Sequence, residues 1–327
     1  MTSIRHWLSA HARFVAPFLT LAVLIIFFTF ASEEGRFLTF LNFRNILMQA
    51  SALAIMATGV TFVLLTAEID LSIAAVATFA GVLASYLLVT GGLPGWLAVL
   101  LALIAATILG YINGWVTTFF GLPSFMTTLA MLEVANGLSI YLTKGRPIFE
   151  VPALTKWLGG GSGTIPTITI VAGVVLLVGH FVLSYTRFGR YIYMVGSNKE
   201  AAELSGINTK RITTLALTIG GATAGLAGLI NTGRIGSAQA SGFEDMLLSA
   251  IAAVVLGGTS LFGGVGGIPN TIIGLLIFGV LKNGLNLINL DIYLKTFVTG
   301  VILLIALIIN VYSVKLGERA ELETESA

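Results

Sequence analysis

Long apolar runs separated by short polar joins dominate the chain. Crossing the hydrocarbon of a bilayer takes about 20 apolar residues in a helix. Ten runs read as candidate spans: 14–31, 45–66, 72–90, 95–119, 124–143, 165–185, 212–232, 246–261, 267–288 and 292–312. The eighth is short, so it is expected to be tilted or partly re-entrant. The pattern predicts an all-α polytopic membrane protein of about ten transmembrane helices. Residues 1–315 form its transmembrane domain and 316–327 a polar tail, expected to be disordered. The first run follows Arg5, His6, His11 and Arg13, and Thr29-Phe30-Ala31 could pass for a signal cleavage site. It exceeds the roughly 7–15 residues of a signal core, so it is expected to stay as the first helix.

One polar break stands out. Residues 186–211 are basic and enclose a short helical pattern. Ser197-Asn198-Lys199-Glu200 fits a capping box, with the Ser197 hydroxyl on the Glu200 N–H and the Glu200 side chain reaching back. Ala201, Ala202 and Leu204 follow, and Gly206 suits a left-handed C-terminal cap. Asn208 or Thr209 can then cap the next span. Two helical turns are too few to be stable alone in water, so this helix needs a surface to pack on. A partner protein and the lipid headgroups are both open as that surface.

Composition agrees with the bilayer as solvent: 56% of residues are hydrophobic, 10% are charged, and mean hydropathy is +0.97. Soluble domains carry about 25% charged residues. A net charge of +2 is too small to argue for nucleic acid, and no nucleic-acid partner is expected. The 38 glycines suit closely packed membrane helices. With no cysteine there is no thiolate nucleophile or cysteine metal site. Lysines and arginines favour the cytoplasmic side. Placing both termini inside puts Arg187, Arg190, Lys199, Lys210 and Arg211 in one cytoplasmic segment.

Ionisable and polar groups at membrane depth are functional candidates by default. Glu68 and Asp70 flank the join between the second and third spans. Asp70 could cap the third helix beside Ser72, where the helix dipole favours a carboxylate, or it could line a pathway or gate. Glu133 and Asn136 share a face of the fifth span, with Phe125, Thr127 and Thr128 before them. An aromatic ring with nearby hydroxyls suits a sugar, and helix packing is the other reading. Lys282, Asn283 and Asn286 end the ninth span, and Asn113-Gly114 ends the fourth. The two Asn-Gly pairs hint at an inverted repeat of spans two to five and seven to ten. The outer loop 144–164, with Pro147, Pro152, Trp157 and Gly159-Gly160-Gly161, could be a gate, a docking loop or a surface loop anchored by its tryptophan.

No phosphate-binding G-x-x-x-x-G-K-[ST] occurs. His6, His11 and His180 form no metal-ligand spacing, and no nucleophile–base pair is visible. An enzyme is therefore not expected. An ion-coupled secondary transporter would need carboxylates near the midplane, where Glu133 is the candidate.

The segment Gly196 to Ile207 closely resembles the coupling loop of ribose-type bacterial ABC sugar importer permeases. Further pieces resemble that family in order: Gly59 to Thr66, Ile69-Asp70-Leu71-Ser72, Thr143 to Pro147, Thr186 to Tyr193, Ala250 to Ser260, Gly263-Gly264 and Asn283 to Leu287. The resemblance implies a dimeric core, formed with a second permease copy or a related permease, in the bacterial inner membrane. It also implies a cytosolic ABC ATPase subunit that binds ATP and Mg, and a periplasmic sugar-binding protein. No cofactor would be bound by this chain. Coupling would fall to Arg187, Arg190, Ser197, Asn198, Glu200, Ala201, Ala202, Leu204 and Gly206. Glu68 stands where the family has glycine, Asn136 where it often has arginine, and Asn310 where aspartate is common. A branched-chain amino acid permease of the wider superfamily is the nearest other reading.

Overall fold

The computed structural model describes residues 12–308, apart from 162, 289, 292, 296, 302, 303, 306 and 307; for residues 12–16, 33 and 34 only the backbone is described. Among these residues the protein is all-helical. The helices are α1 (Ala12–Ala31), α2 (Phe40–Leu65), α3 (Ile73–Val89), α4 (Gly95–Phe120), α5 (Ser124–Thr143), α6 (Ala153–Gly159), α7 (Thr167–Tyr185), α8 (Arg187–Ser197), α9 (Lys199–Leu204), α10 (Thr209–Ile235), α11 (Glu244–Leu256) and α12 (Ile268–Leu287). A 3-10 helix, Glu33–Leu38, joins α1 to α2. Among the described residues six helices are long and apolar enough to cross a membrane: α2, α4, α5, α7, α10 and α12. With the shorter apolar helices they make a polytopic membrane protein. The tail and Asn310 lie outside the described residues, as does part of the tenth predicted span.

Local chemistry sets the boundaries. Pro94, Pro123, Pro152 and Pro166 each stand immediately before a helix, α4 to α7 in turn, in extended backbone. A proline fixes its own φ and pushes the residue before it out of the helical region, so no helix can extend backwards through it. Gly121 and Gly236 end α4 and α10 at φ 68° and 78°, a conformation glycine adopts without strain.

The chain divides into two compact units, one of residues up to 50 with 252–258 and from 269 on, the other of 51–251 with 259–268. In the first, Phe28, Phe37, Ile46, Val280, Leu281 and Leu285 form an apolar cluster. In the second, α3 is buried from Ile73 to Val82, and α10 packs on both α3 and α4 through small residues. A side chain at Gly110 would come within 2.6 Å of the Leu217 carbonyl and 2.8 Å of Gly221 Cα. The outer faces of α4, α5 and α7 carry Leu100, Ile104, Ile108, Leu129, Leu177 and Phe181 exposed, as lipid contact requires.

One expectation changes here, and another, the short eighth span, is met. Asn113-Gly114 and Asn283-Gly284 do not end their spans, because α4 continues to Phe120 and α12 to Leu287. Both asparagines are buried in helical packing instead, each with an Oδ1 lacking a hydrogen-bond partner. The eighth span is a 13-residue helix, α11. At 1.5 Å per residue it is about 20 Å long, shorter than the roughly 30 Å hydrocarbon core. The turns that follow hold Gly258, Gly263, Gly264, Gly266 and Gly267 at positive φ. The 144–164 loop contains α6, which packs on the end of α10, with Gly159 beside Arg234 N and Ile230 O.

Candidate functional site

The basic break folds as two consecutive helices, α8 and α9. The first escaped the sequence reading. Thr186 caps it, its hydroxyl accepting from Gly189 N at 3.1 Å. Phe188, Ile192 and Val195, at helical spacing, are the signal that could have found it. Ile192 and Val195 join Phe62, Leu65, Leu183, Ala202 and Ile268 in one cluster, with Phe188 packed against it.

The capping box at Ser197 is not formed. Ser197 is the last residue of α8, whereas a cap needs non-helical backbone. Asn198 has it, at φ −159° and ψ 104°, and its Oδ1 accepts from Ala201 N at 2.9 Å. Glu200 therefore sits in the first turn of α9, favoured by the dipole there, with no reach-back bond to Ser197. The far end is as expected. Gly206 lies at φ 80°, with Gly206 N donating to Glu203 O and Ile207 N to Ala202 O, the two bonds of a Schellman cap. Asn208, not Thr209, caps α10, accepting from Arg211 N at 2.9 Å. The Thr209 hydroxyl donates to the Glu203 carboxylate instead.

Arg187, Arg190, Ser197, Asn198, Glu200 and Ala201 are exposed, and Ala202 is buried. Leu204 is 85% exposed, and Tyr191 and Met194 of α8 are exposed as well. Between α8 and α9 runs a largely apolar groove of about 330 Å³, lined by Tyr193, Met194, Ser197, Asn198, Ala201 and Ser205 among others. An exposed leucine beside a shallow groove is a surface that a partner can cover.

Beneath it, α8 and α9 touch two distant parts of the chain. A side chain at Gly196 would fall on Leu65 O and come within 2.6 Å of Gly264 N. Gly264 N in turn donates to Leu65 O at 3.1 Å. The Tyr193 hydroxyl donates to Gly266 O at 2.9 Å, and burial pushes its pKa up. Lys199 Nζ reaches Glu68 Oε1 at 3.6 Å. The residue that departs from the glycine of the resembling family is thus the partner of a lysine in the basic break. Sequence reasoning missed Tyr193, Gly196 and Lys199.

The join after Glu68 is fixed from two sides. Ile69 N donates to Ser124 Oγ and Leu71 N to Thr128 Oγ1, each at 3.0 Å. Asp70 Oδ1 accepts from Ser72 N at 2.8 Å and from Ser72 Oγ at 2.6 Å. Ser72 Oγ accepts from Asn113 Nδ2 at 2.9 Å. Asp70 thus steadies the start of α3 through Ser72, the residue at the cap itself. Burial pushes its carboxyl above the usual range, and the Ser72 bonds oppose that.

The other pathway candidates differ in burial. Thr128 is fully buried and holds the join, whereas Phe125 on the same helix is 47% exposed. Glu133 is exposed and Asn136 half-buried. Asn283 is buried while Asn286 is exposed. Among the described residues no group of three or more His, Asp and Glu side chains could hold a metal ion.

Residues 42–307 match the family described as branched-chain amino acid transport system / permease component. The chain belongs to this family. Among curated relatives of this permease, the ribose import permease protein of Escherichia coli is 38% identical over 295 residues, covering 89% of this chain and 92% of the relative. That of Bacillus subtilis is 39% identical over 301 residues, covering 90% and 92%. The xylose transport system permease protein of Escherichia coli is 30% identical over 345 residues, covering 86% and 88%. The ribose-type resemblance read from scattered motifs therefore holds along most of the permease. As an ABC permease component it is a transport subunit, not an enzyme.

Proposed function

We propose that this permease carries a monosaccharide or related polyol into the bacterial cytoplasm by alternating access, driven by a cytosolic ATPase subunit docked on α8 and α9. The observation that carries the reading is the position of these helices. They expose Leu204 and an apolar groove outward, while Gly196, Tyr193 and Lys199 engage the α2–α3 join and the glycine turns at 263–266. Motion of α9 is felt at Asp70 through Glu68, two residues away. The relatives named for ribose and xylose support a sugar over an amino acid. In this reading both termini are cytoplasmic, and ten spans carry an inverted repeat, supported by the matching buried Asn-Gly pairs. The core pairs with a second permease, ATP and Mg are bound by the ATPase, and a periplasmic binding protein delivers the sugar.

The test is uptake by proteoliposomes holding permease, ATPase and binding protein, screened over pentoses, hexoses and polyols. Uptake should need ATP, stop with vanadate and ignore an ionophore; the reverse pattern means an ion-coupled carrier. Gly206→Pro forces φ to negative values and deletes a cap N–H, a local strain of about 1–3 kcal/mol. We expect it to cut uptake about tenfold, the equivalent of 1.4 kcal/mol, while ATPase activity persists.

The Lys199–Glu68 pair gives a finer test. Partly exposed pairs are worth up to about 1 kcal/mol. Lys199→Glu should therefore lower uptake per ATP by roughly fivefold at most. Adding Glu68→Lys should restore it. If the double variant is no better than Lys199→Glu alone, the pair does not transmit.

A further inference from the structure

A second cleft, of about 510 Å³, opens where α4 ends, α5 begins and α10 begins. These are the ends of three spans, so the cleft lies at the level where membrane meets water. Its walls differ. One is apolar, built of Phe119, Phe120, Leu122 and Pro123. Trp115 extends it, stacked on Phe119 at 5.1 Å and edge-on to Phe120 at 5.8 Å. These exposed rings have the character of an interfacial aromatic belt. The other wall carries Lys199, Lys210, Glu68 and Glu203. Lys199 is paired with Glu68, whereas Lys210 has no ion-pair partner among the described residues. Thr117 also lines the cleft. It is 5% exposed, and its hydroxyl has no hydrogen-bond partner. A buried hydroxyl left unpaired is costly, and a ligand oxygen at the cleft would relieve it.

We propose that this cleft holds the headgroup of a zwitterionic phospholipid bearing a primary ammonium. Its phosphate meets Lys210 and the Thr117 hydroxyl, its ammonium meets the Glu203 carboxylate, and its glycerol and upper acyl chain lie on Phe119 and Phe120. A free phosphate would leave the aromatic wall bare. An anionic lipid would leave the Glu203 carboxylate, which accepts only the neutral Thr209 hydroxyl, without a counter-charge, and a quaternary ammonium cannot donate a hydrogen bond to it.

Native mass spectrometry of the purified full-length permease tests this, with phosphatidylethanolamine, phosphatidylcholine and phosphatidylglycerol of identical chains supplied in equal amounts. We expect phosphatidylethanolamine to be retained about tenfold over the other two, the worth of a charge-assisted hydrogen bond. Lys210→Gln should abolish that preference, and Thr117→Val should reduce it about threefold. Lys282→Gln, remote in sequence and exposed, should not change it. Equal retention of all three lipids would overturn the proposal, as would a preference for phosphatidylglycerol. So would unchanged retention in both cleft variants, each checked for folding by gel filtration. Displacement by soluble phosphoethanolamine at equal concentration would make the cleft a small-molecule site. Displacement by the ATPase subunit would assign it to the motor. Either result overturns the lipid assignment.

Discussion

Gly196→Val is expected to abolish ATP-driven uptake while leaving a permease that inserts in the membrane. A side chain at this position falls on the Leu65 carbonyl and on Gly264 N, both backbone atoms held by their own hydrogen bond. Backbone cannot turn aside as a flexible side-chain tip does, so α8 itself must lift. Over-packing of this kind costs about 1–3 kcal/mol or more. At the upper end, if the cost falls on the state in which α8 is seated, the loss is roughly 100-fold in rate. The cost is local, because the apolar faces of α3, α4 and α10 are untouched. Gel filtration should show the variant at its normal size, and ATPase activity of the assembled complex should persist without transport. Near-normal uptake by such a variant would show that the seat of α8 on Leu65 has no part in coupling.

Asp70 offers the second large effect. Asp70→Ala deletes the acceptor of the Ser72 N–H and of the Ser72 hydroxyl, at a site where both residues are buried. Each buried polar group left unsatisfied costs about 1–3 kcal/mol. The start of α3 should loosen, Tm should fall, and uptake should drop by about tenfold or more. Asp70→Asn keeps an Oδ1 that can accept the same two bonds. Because burial already disfavours the charged carboxylate, the amide should lose less than about threefold. This contrast decides between the two roles open for Asp70. A pathway carboxylate that binds solute by its charge would suffer equally from both substitutions. Uptake by Asp70→Asn as poor as that of Asp70→Ala would therefore assign Asp70 to the solute path.

The spans were legible because a bilayer imposes a length and an apolar composition that few other settings require. Starts marked by Pro94, Pro123 and Pro166 fell within a few residues of prediction, since proline sterics act locally. The cap at Asn198 was misread by one position. Local pattern cannot tell whether the preceding residue is free or already spent, and Ser197 was spent on α8. Helix α8 was hidden because a basic, glycine-interrupted stretch gives little apolar signal. Its three inward residues mean something only once Leu65 and Ile268 are known to lie beneath. Thr128 looked like a solute ligand for a similar reason. Its partner, the backbone of Leu71, is reached through the fold and not through sequence spacing. The motif Gly263-Gly264 was visible as a family feature, but its physical reason was not. These residues adopt positive φ and lie close against Ala67 and Ser197, so side chains would be excluded twice over.

The contact of Leu65 with Gly264 also orders events during synthesis. Helices α8 and α9 leave the ribosome well before the glycine turns that complete their seat, and loops closing such long stretches form late. A nascent or truncated chain lacking residues beyond 260 would present the two helices without the Gly264 N–H on Leu65 O or the Gly266 carbonyl for Tyr193. The seat of α8 and α9 is therefore complete only after residues 264–266 have been made. If the ATPase docks there as proposed, its recruitment would act as an inspection of the fold, sparing the cell an engine bolted to an incomplete channel.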